Sequence, residues 1–276
     1  MRAGGAGGHS SGMSPPSACA TLLSAAVTPL GTAAKQARST VLPLQTPCSA
    51  CHLRDLCLPH GMAGSELEWL DRLGLGRRRV RAGQPLYMEG EAFQNIYAVR
   101  SGTFKSGLTL ADGREQVSGF HMAGELMGFD GVAGGRHASS TTALEDAEIC
   151  AIPYARLLQM ASQGGGLQQI VGRLMSREIV REHSLMLLLG SMNAEQRLAA
   201  FLLNLSQRLL ARGWSGSEFN LRMTRAEIGS YLGLKLETVS RTFSALQKSR
   251  LLQVDKRHIR ITDLEGLRRT FEARVH

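Results

Sequence analysis

The apolar positions change their period along the chain, and each period predicts a different kind of element. From Val80 to about Pro153, short apolar runs alternate with glycine-bearing turns: Arg81-Ala82-Gly83-Gln84-Pro85, Arg100-Ser101-Gly102-Thr103, Ala111-Asp112-Gly113-Arg114 and Met122-Ala123-Gly124-Glu125. Between the turns, Asn95–Arg100, Glu115–Phe120 and Ala147–Ile152 read as strands. The Asp-Gly pair at 112–113 marks a hairpin turn, because both residues tolerate positive φ. Short strands at regular spacing predict a β-barrel or jelly roll. Ahead of this region, Ser65–Leu70 reads as a short helix with Ser65 as its N-cap. Arg77-Arg78-Arg79 reads as a solvated strand edge.

Beyond Pro153 the period becomes helical. A short helix starts at Pro153, and Gly164-Gly165-Gly166 breaks it. A long helix then runs from Leu167 to Ser191 with no internal proline. Met175, Ile179, Glu182, Met186 and Leu189 follow one another at spacings of 4, 3, 4 and 3, the repeat of a coiled-coil seam. A second stripe, Ile170, Leu174, Leu185 and Leu188, is placed to pack on the protein's own body. Two stripes let one helix face its own domain and a twin; the competing reading is a single wide core-facing stripe. Glu182 is the odd residue in the seam. In a parallel homodimer it lies near its symmetry mate, and two facing carboxylates oppose pairing through repulsion and lost hydration. Such a helix pairs weakly until another interaction adds binding energy. The plainer alternative is a solvated glutamate at the seam's rim.

A third pattern follows. Asn193 to Arg212 forms a helix with Leu198, Phe201, Leu202 and Leu205 on its apolar face. Thr224 and Glu227 stand in capping-box spacing and fix the start of a short helix, which Gly233 ends in a tight turn. A second helix spans about Leu236 to Ser249, giving helix-turn-helix spacing. Val239, Phe243 and Leu246 share its buried face. Glu237, Ser240 and Arg241 lie together on the opposite face near its N-terminus, the end that meets base edges in the major groove. Arginine can bind guanine O6 and N7, glutamate can accept from cytosine N4, and serine can contact base or phosphate. Otherwise these three form only a solvated charged face. Leu252–Val254 and His258–Ile261 then flank Asp255-Lys256-Arg257 as a small basic wing.

Charge supports a polyanionic partner. The chain of 276 residues carries a formal net charge of +9. From Met192 to His276 there are 15 Lys and Arg against 8 Asp and Glu, a net of +7 in under a third of the chain. That places double-stranded DNA against a basic C-terminal domain. No apolar run approaches the ~20 residues needed to span a bilayer, so no membrane role is expected. Residues 1–47 are dominated by Gly, Ala, Ser and Pro and read as a disordered tail. Ala18–Ala34 faintly resembles a signal peptide, but its basic residue is distant and Pro29 interrupts it, so a cytoplasmic protein is expected.

Five cysteines are an odd number for a disulfide framework. Three of them follow the pattern Cys48-x2-Cys51-x5-Cys57, and Cys150 comes much later. Four thiolates converging from one loop and one distant segment are what an iron–sulfur cluster needs. The same four would also suit a structural zinc. Scattered buried thiols in a reduced cytosol account for Cys19 and, taken alone, for Cys150, but not for three cysteines within ten residues. No nucleophile–base set, phosphate loop or substrate motif is present, so an enzyme is not expected.

The cysteine spacing, the segment Gly119-Phe120-His121-Met122-Ala123-Gly124-Glu125-Leu126-Met127-Gly128-Phe129-Asp130, the run Asn193-Ala194-Glu195-Gln196-Arg197-Leu198-Ala199-Ala200-Phe201, and Glu237-Thr238-Val239-Ser240-Arg241 together resemble the FNR branch of the CRP/FNR family of bacterial regulators. The resemblance runs from about Cys48 to the end. It implies an α+β protein: an N-terminal β jelly-roll sensor domain of the cyclic-nucleotide-binding kind over 48–165, a dimerisation helix over 166–191, and a winged helix-turn-helix over 192–276. It further implies an oxygen-responsive transcription regulator. Cys48, Cys51, Cys57 and Cys150 would hold a [4Fe–4S] cluster, the clustered form would pair as a homodimer, and the dimer would bind TTGAT-type inverted repeats. The family pattern also has an acidic residue at the place of Glu182. Ala50, His52 and Leu56 would set access to the cluster, and the loop from Ala111 to Gln116 matches a region that touches RNA polymerase. A CRP-like response to a small-molecule effector is the alternative. A cyclic nucleotide itself is not expected, because Gly134 and Gly135 stand where that branch has an Arg-Ser pair, with Arg136 and Ser139 the nearest substitutes. The reading helix also departs from that branch, at Leu236 and Ser240.

Overall fold

The computed structural model describes residues 42–272 except 44, 45, 63, 74, 111 and 164. Most of the expected tail, with Cys19, therefore lies outside the described residues. Twelve strands are described: β1 Leu42–Pro43, β2 Gly76–Val80, β3 Pro85–Tyr87, β4 Asn95–Ser101, β5 Thr103–Thr109, β6 Glu115–Met122, β7 Leu126–Met127, β8 Ser140–Ala143, β9 Ala147–Pro153, β10 Glu218–Asn220, β11 Leu252–Asp255 and β12 His258–Ile261. The α-helices are α1 Gly64–Arg72, α2 Tyr154–Gln163, α3 Gly165–Ser191, α4 Ala194–Leu210, α5 Arg225–Leu232, α6 Leu236–Lys248 and α7 Leu264–Glu272.

Two sheets, ordered β1-β2-β9-β4-β7 and β3-β8-β5-β6, form the β-roll. Strand alternation explains how they pack. Val80, Tyr97, Val99 and Ile149 from the first sheet meet Leu86, Tyr87, Phe104 and Ala143 from the second. The other face of the first sheet presents Ile96, Ala98, Cys150 and Ile152, and it is covered by Leu58, Leu70, Leu157 and Ile170. A third core joins α4, α5, α6 and the wing strands to Val117, Phe120 and Met122 of β6. Leu198, Leu202, Ile228 and Val239 are wholly buried there, each stabilising by roughly 1.5–3 kcal/mol.

The three expected strands and the two halves of the helix-turn-helix stand where the pattern put them. Several boundaries need correction. Leu42–Pro43, inside the segment expected to lack structure, pair antiparallel with Gly76 and Arg77. Of the expected edge Arg77–Arg79, Arg77 is covered by β1, while Arg78 and Arg79 have no β1 partner among the described residues and Arg79 is exposed. Ser65 lies inside the first turn of α1, which begins at Gly64, and so does not cap it. The glycine break is narrower than expected, since Gly165 and Gly166 are already helical. β10 and α7 were not anticipated.

On α3 both stripes are visible. Ile170 is buried, while Leu174, Leu185 and Leu188 are half-buried against the protein's own body. Ile179, Glu182 and Met186 are exposed, as the seam requires, but Met175 and Leu189 are half-buried. Val180 and Leu187 are exposed beside the seam and widen it.

Candidate functional site

The cysteine centre is built from the outer face of the first sheet and the loop ahead of α1. Cys48–Ala50 form one 3-10 turn. Ser49 ties it to α1: its hydroxyl donates to Asp71 Oδ2 at 2.6 Å and its amide to Oδ1 at 3.3 Å. Successive turns carry the chain onward, with Arg54 N–H donating to Cys51 O and Cys57 N–H to Leu53 O. Leu53 and Leu58 anchor the loop by burial. Cys150 arrives from β9, where it pairs in register with Ala98 on one side and Arg77 on the other.

These pieces bring Cys48, Cys51, Cys57 and Cys150, all half-buried, around one partly open space of about 30 Å³, with Leu58, Leu75, Ala98, Arg100 and Ile152 in its walls. All four thiols are free. The space leaves room for about two waters among four sulfurs and aliphatic side chains. Among the described residues, no three Cys, His, Asp or Glu side chains close on a point as a single metal ion would require. Four sulfur donors are the ligand chemistry of an iron–sulfur core and equally of a single tetrahedral zinc. Burial pushes the Cys48 and Cys57 thiols up to about 12. It also raises Cys150, against the pull of Arg100 and Arg77.

Gly124 holds the loop in place. Its φ is +87°, and a Cβ there would meet the Cβ of Leu56 at 2.8 Å. Leu56 is half-buried, whereas Ala50 and His52 are exposed. Of the three residues expected to control access, Leu56 alone is thus wedged against the β-roll.

The helix-turn-helix is set by two side-chain devices. Thr224 and Glu227 form the expected capping box at the start of α5. Gly233 ends α5 at φ 63°, a left-handed turn that favours glycine. The Arg225 guanidinium lies 3.4 Å from the Phe243 ring centroid and holds α5 against α6. Glu237, Ser240 and Arg241 are all exposed on α6, opposite buried Val239, Phe243 and Leu246. The wing is β11 and β12 with Lys256 at its turn, φ 53°, and β10 adds a third strand beside β12.

The sequence did not reveal how firmly the reader is docked on the β-roll. Ser230 of α5 receives a hydrogen bond from the Val117 amide at 2.8 Å and donates to Glu115 O at 2.8 Å. Gln116 Nε2 donates to Ser230 O. Lys105 bridges Glu115 and Glu227 at 2.6 and 3.3 Å. Glu125 takes Arg208 of α4 and Arg212, just beyond its C-terminal end. The hairpin expected to face RNA polymerase is therefore engaged at Glu115 and Gln116, while Asp112 and Gly113 at its tip remain exposed.

Residues 196–270 match the model of the Crp-like helix-turn-helix domain, and residues 77–164 match that of the cyclic nucleotide-binding domain. The transcriptional regulatory protein btr of Bordetella pertussis is 46% identical over 84% of this chain and 96% of its own length. The fumarate and nitrate reduction regulatory protein of Vibrio cholerae is 44% identical over 78% of this chain and 86% of its own length. Among solved structures, FixK2 from Bradyrhizobium japonicum superposes with a TM-score of 0.67 at 29% identity, covering 73% of this chain and 99% of that one. No helix among the described residues is long and apolar enough to cross a membrane. With its β-roll, long helix and winged reader in this order, the chain belongs to the FNR branch of the CRP/FNR family of transcription regulators, which are not enzymes.

Proposed function

We propose that the protein is an oxygen-responsive regulator in which Cys48, Cys51, Cys57 and Cys150 hold a [4Fe–4S] cluster and the loaded chain pairs through α3 on TTGAT-type inverted repeats. The observation that carries this reading is the set of four free thiols lining one space. When bound, the cluster supplies an oxygen-labile cofactor whose presence distinguishes anaerobic from aerobic protein. The chain's own residues do the rest. The loop and β9 place the thiols. Met175, Ile179, Glu182, Met186 and Leu189 form the pairing seam, and Glu237, Ser240 and Arg241 read the bases. The exposed tip of the 111–116 hairpin is the proposed contact with RNA polymerase. The deciding measurement is iron and acid-labile sulfide per chain after strictly anaerobic purification. Comparable amounts of both, lost with visible colour on exposure to air, support the reading. Zinc without sulfide, stable in air, would replace it with a structural metal.

Two consequences are specific. Replacing Glu182 with Ala removes the carboxylate pair from the seam, so pairing in air should tighten by about 0.2–0.5 kcal/mol. Sedimentation at several concentrations would show it, and an unchanged monomer–dimer balance rejects the role. Arg241→Ala should cost about 1–3 kcal/mol at a half-site guanine and relax discrimination there. Equal loss on every sequence would make Arg241 a phosphate contact.

A second cavity, of about 320 Å³, favours a second reading as an effector-binding regulator. Tyr87, Ser106, His121, Asp130 and Ser139 of the β-roll line it together with Arg181 of α3. A cyclic phosphate is poorly served there. Asp130 already accepts the amide and hydroxyl of Ser139, each at 2.9 Å, and Arg136 donates to Gly90 O at 2.7 Å. An internal carboxylate thus occupies donors that a phosphate would need. A Cys51→Ala protein with unchanged DNA binding would favour this second reading over the cluster.

A further inference from the structure

Alternation along β4 puts Ile96, Ala98 and Arg100 on the face that Cys150 shares. The ladder with β9 slips between Val99 and Ser101, so Arg100 is left without a cross-strand partner at a bulge. Its side chain is only 17% exposed. A cation so far removed from water calls for an anion. The carboxylate it meets, Glu148, is a poor one: it lies 3.8 Å from Arg100 Nε, while the same carboxylate holds Arg79 at 2.9 Å. The other group in reach is the Cys51 sulfur, 3.8 Å from Arg100 Nη1. Arg100 also lines the cysteine cavity, and its charge acts on Cys48 and Cys150. Close by, Arg77 faces Cys150 across β2 and β9, and its Nε is buried with no hydrogen-bond partner among the described residues.

We propose that Arg100 is the counter-cation of the four-thiolate centre and the positioning residue of Cys51, donating to its sulfur and offsetting the net negative charge that four thiolates leave on a bound metal core. This rests on the cluster reading of the site. It adds that retention of the centre depends on a residue that is not a ligand. Hydrogen bonds to sulfur and nearby charge are the protein's means of tuning such a centre. Loss of an outer partner of this kind typically weakens metal retention by about 10–100-fold.

The test compares the anaerobically prepared full chain with Arg100→Met, Arg100→Gln and Arg100→Lys. Iron release to a chelator is followed without oxygen, with iron, sulfide and the visible circular dichroism of the centre as readouts. Far-UV circular dichroism of the metal-free chains checks the fold. Met and Gln variants should release iron at least about tenfold faster than the parent, and Lys, which restores the charge, should recover most of the difference. Gln keeps a donor and similar bulk, so it decides the matter if the Met variant does not fold. Neutral variants that hold iron within twofold of the parent overturn the inference, and so does a Lys variant as labile as Met. A parent chain without iron and sulfide overturns the cluster reading and the inference together.

Discussion

Alanine at any one of Cys48, Cys51, Cys57 or Cys150 is expected to abolish anaerobic DNA binding and to strip iron and sulfide from the purified protein. The four thiols line one space, so each is a quarter of a single site. Two of them sit in costly surroundings. Burial pushes Cys48 and Cys57 up to about 12, so at neutral pH the empty site holds thiols, not thiolates. Loading must therefore expel protons, and metal affinity should rise as pH rises. Without the centre nothing offsets the repulsion at the Glu182 seam, so DNA binding measured with metal-free protein should be weak. Fluorescence anisotropy on a TTGAT inverted repeat, without oxygen, reads the effect. Retained binding in all four variants would dispose of the cluster assignment. Loss at Cys48, Cys51 and Cys57 alone would remove Cys150 from the ligand set.

The sequence made the two ends of the molecule legible and left the junction between them obscure. Capping boxes, a left-handed glycine and a charged helix face are local signals, and the reader appeared where Thr224, Gly233 and Arg241 put it. The strands with apolar alternation, at 95–101 and 147–153, were equally plain. β3 and β8 were not, because they are short and half polar. Ser230 and Gln116 look like ordinary surface polar residues in sequence. Their pairing spans 114 positions, and no local pattern announces it. Arg100 did carry a signal, the i, i+2, i+4 spacing from Ile96 through Ala98, which puts it on the face of Cys150. Its meaning depended on knowing what lay across the ladder.

Glu125→Ala is expected to lower stability by about 3 kcal/mol, through the junction rather than through the site. Arg208 meets the Glu125 carboxylate through Nε at 2.9 Å and Nη2 at 2.6 Å, and Arg212 meets it through Nη2 at 2.6 Å. The two guanidinium groups also donate to the carbonyls of Phe120 and Ala123, each at 2.7 Å. Burial alone would raise the carboxyl, but Arg208 and Arg212 outweigh it and hold it below the usual range. Removing Glu125 leaves two cations facing each other, and the Arg212 side chain is only 5% exposed. Breaking a buried pair in this way costs about 3–5 kcal/mol. The low end applies because the carboxylate side chain itself is 22% exposed. For a body of this size the thermal midpoint should fall by roughly 6–12 °C, at 2–4 °C per kcal/mol. The pH dependence has a definite sign. A depressed carboxyl stabilises fully above the ordinary glutamate value of about 4.3 and loses that contribution as pH falls below it, so parent and variant should converge in acid. The double replacement Glu125→Ala with Arg212→Met should recover part of the loss, because the stranded charge goes with its partner. A midpoint that does not move in Glu125→Ala would mean that the apolar contacts of Phe120 with Phe201 and Tyr231 hold the reader on the β-roll without the ion triad.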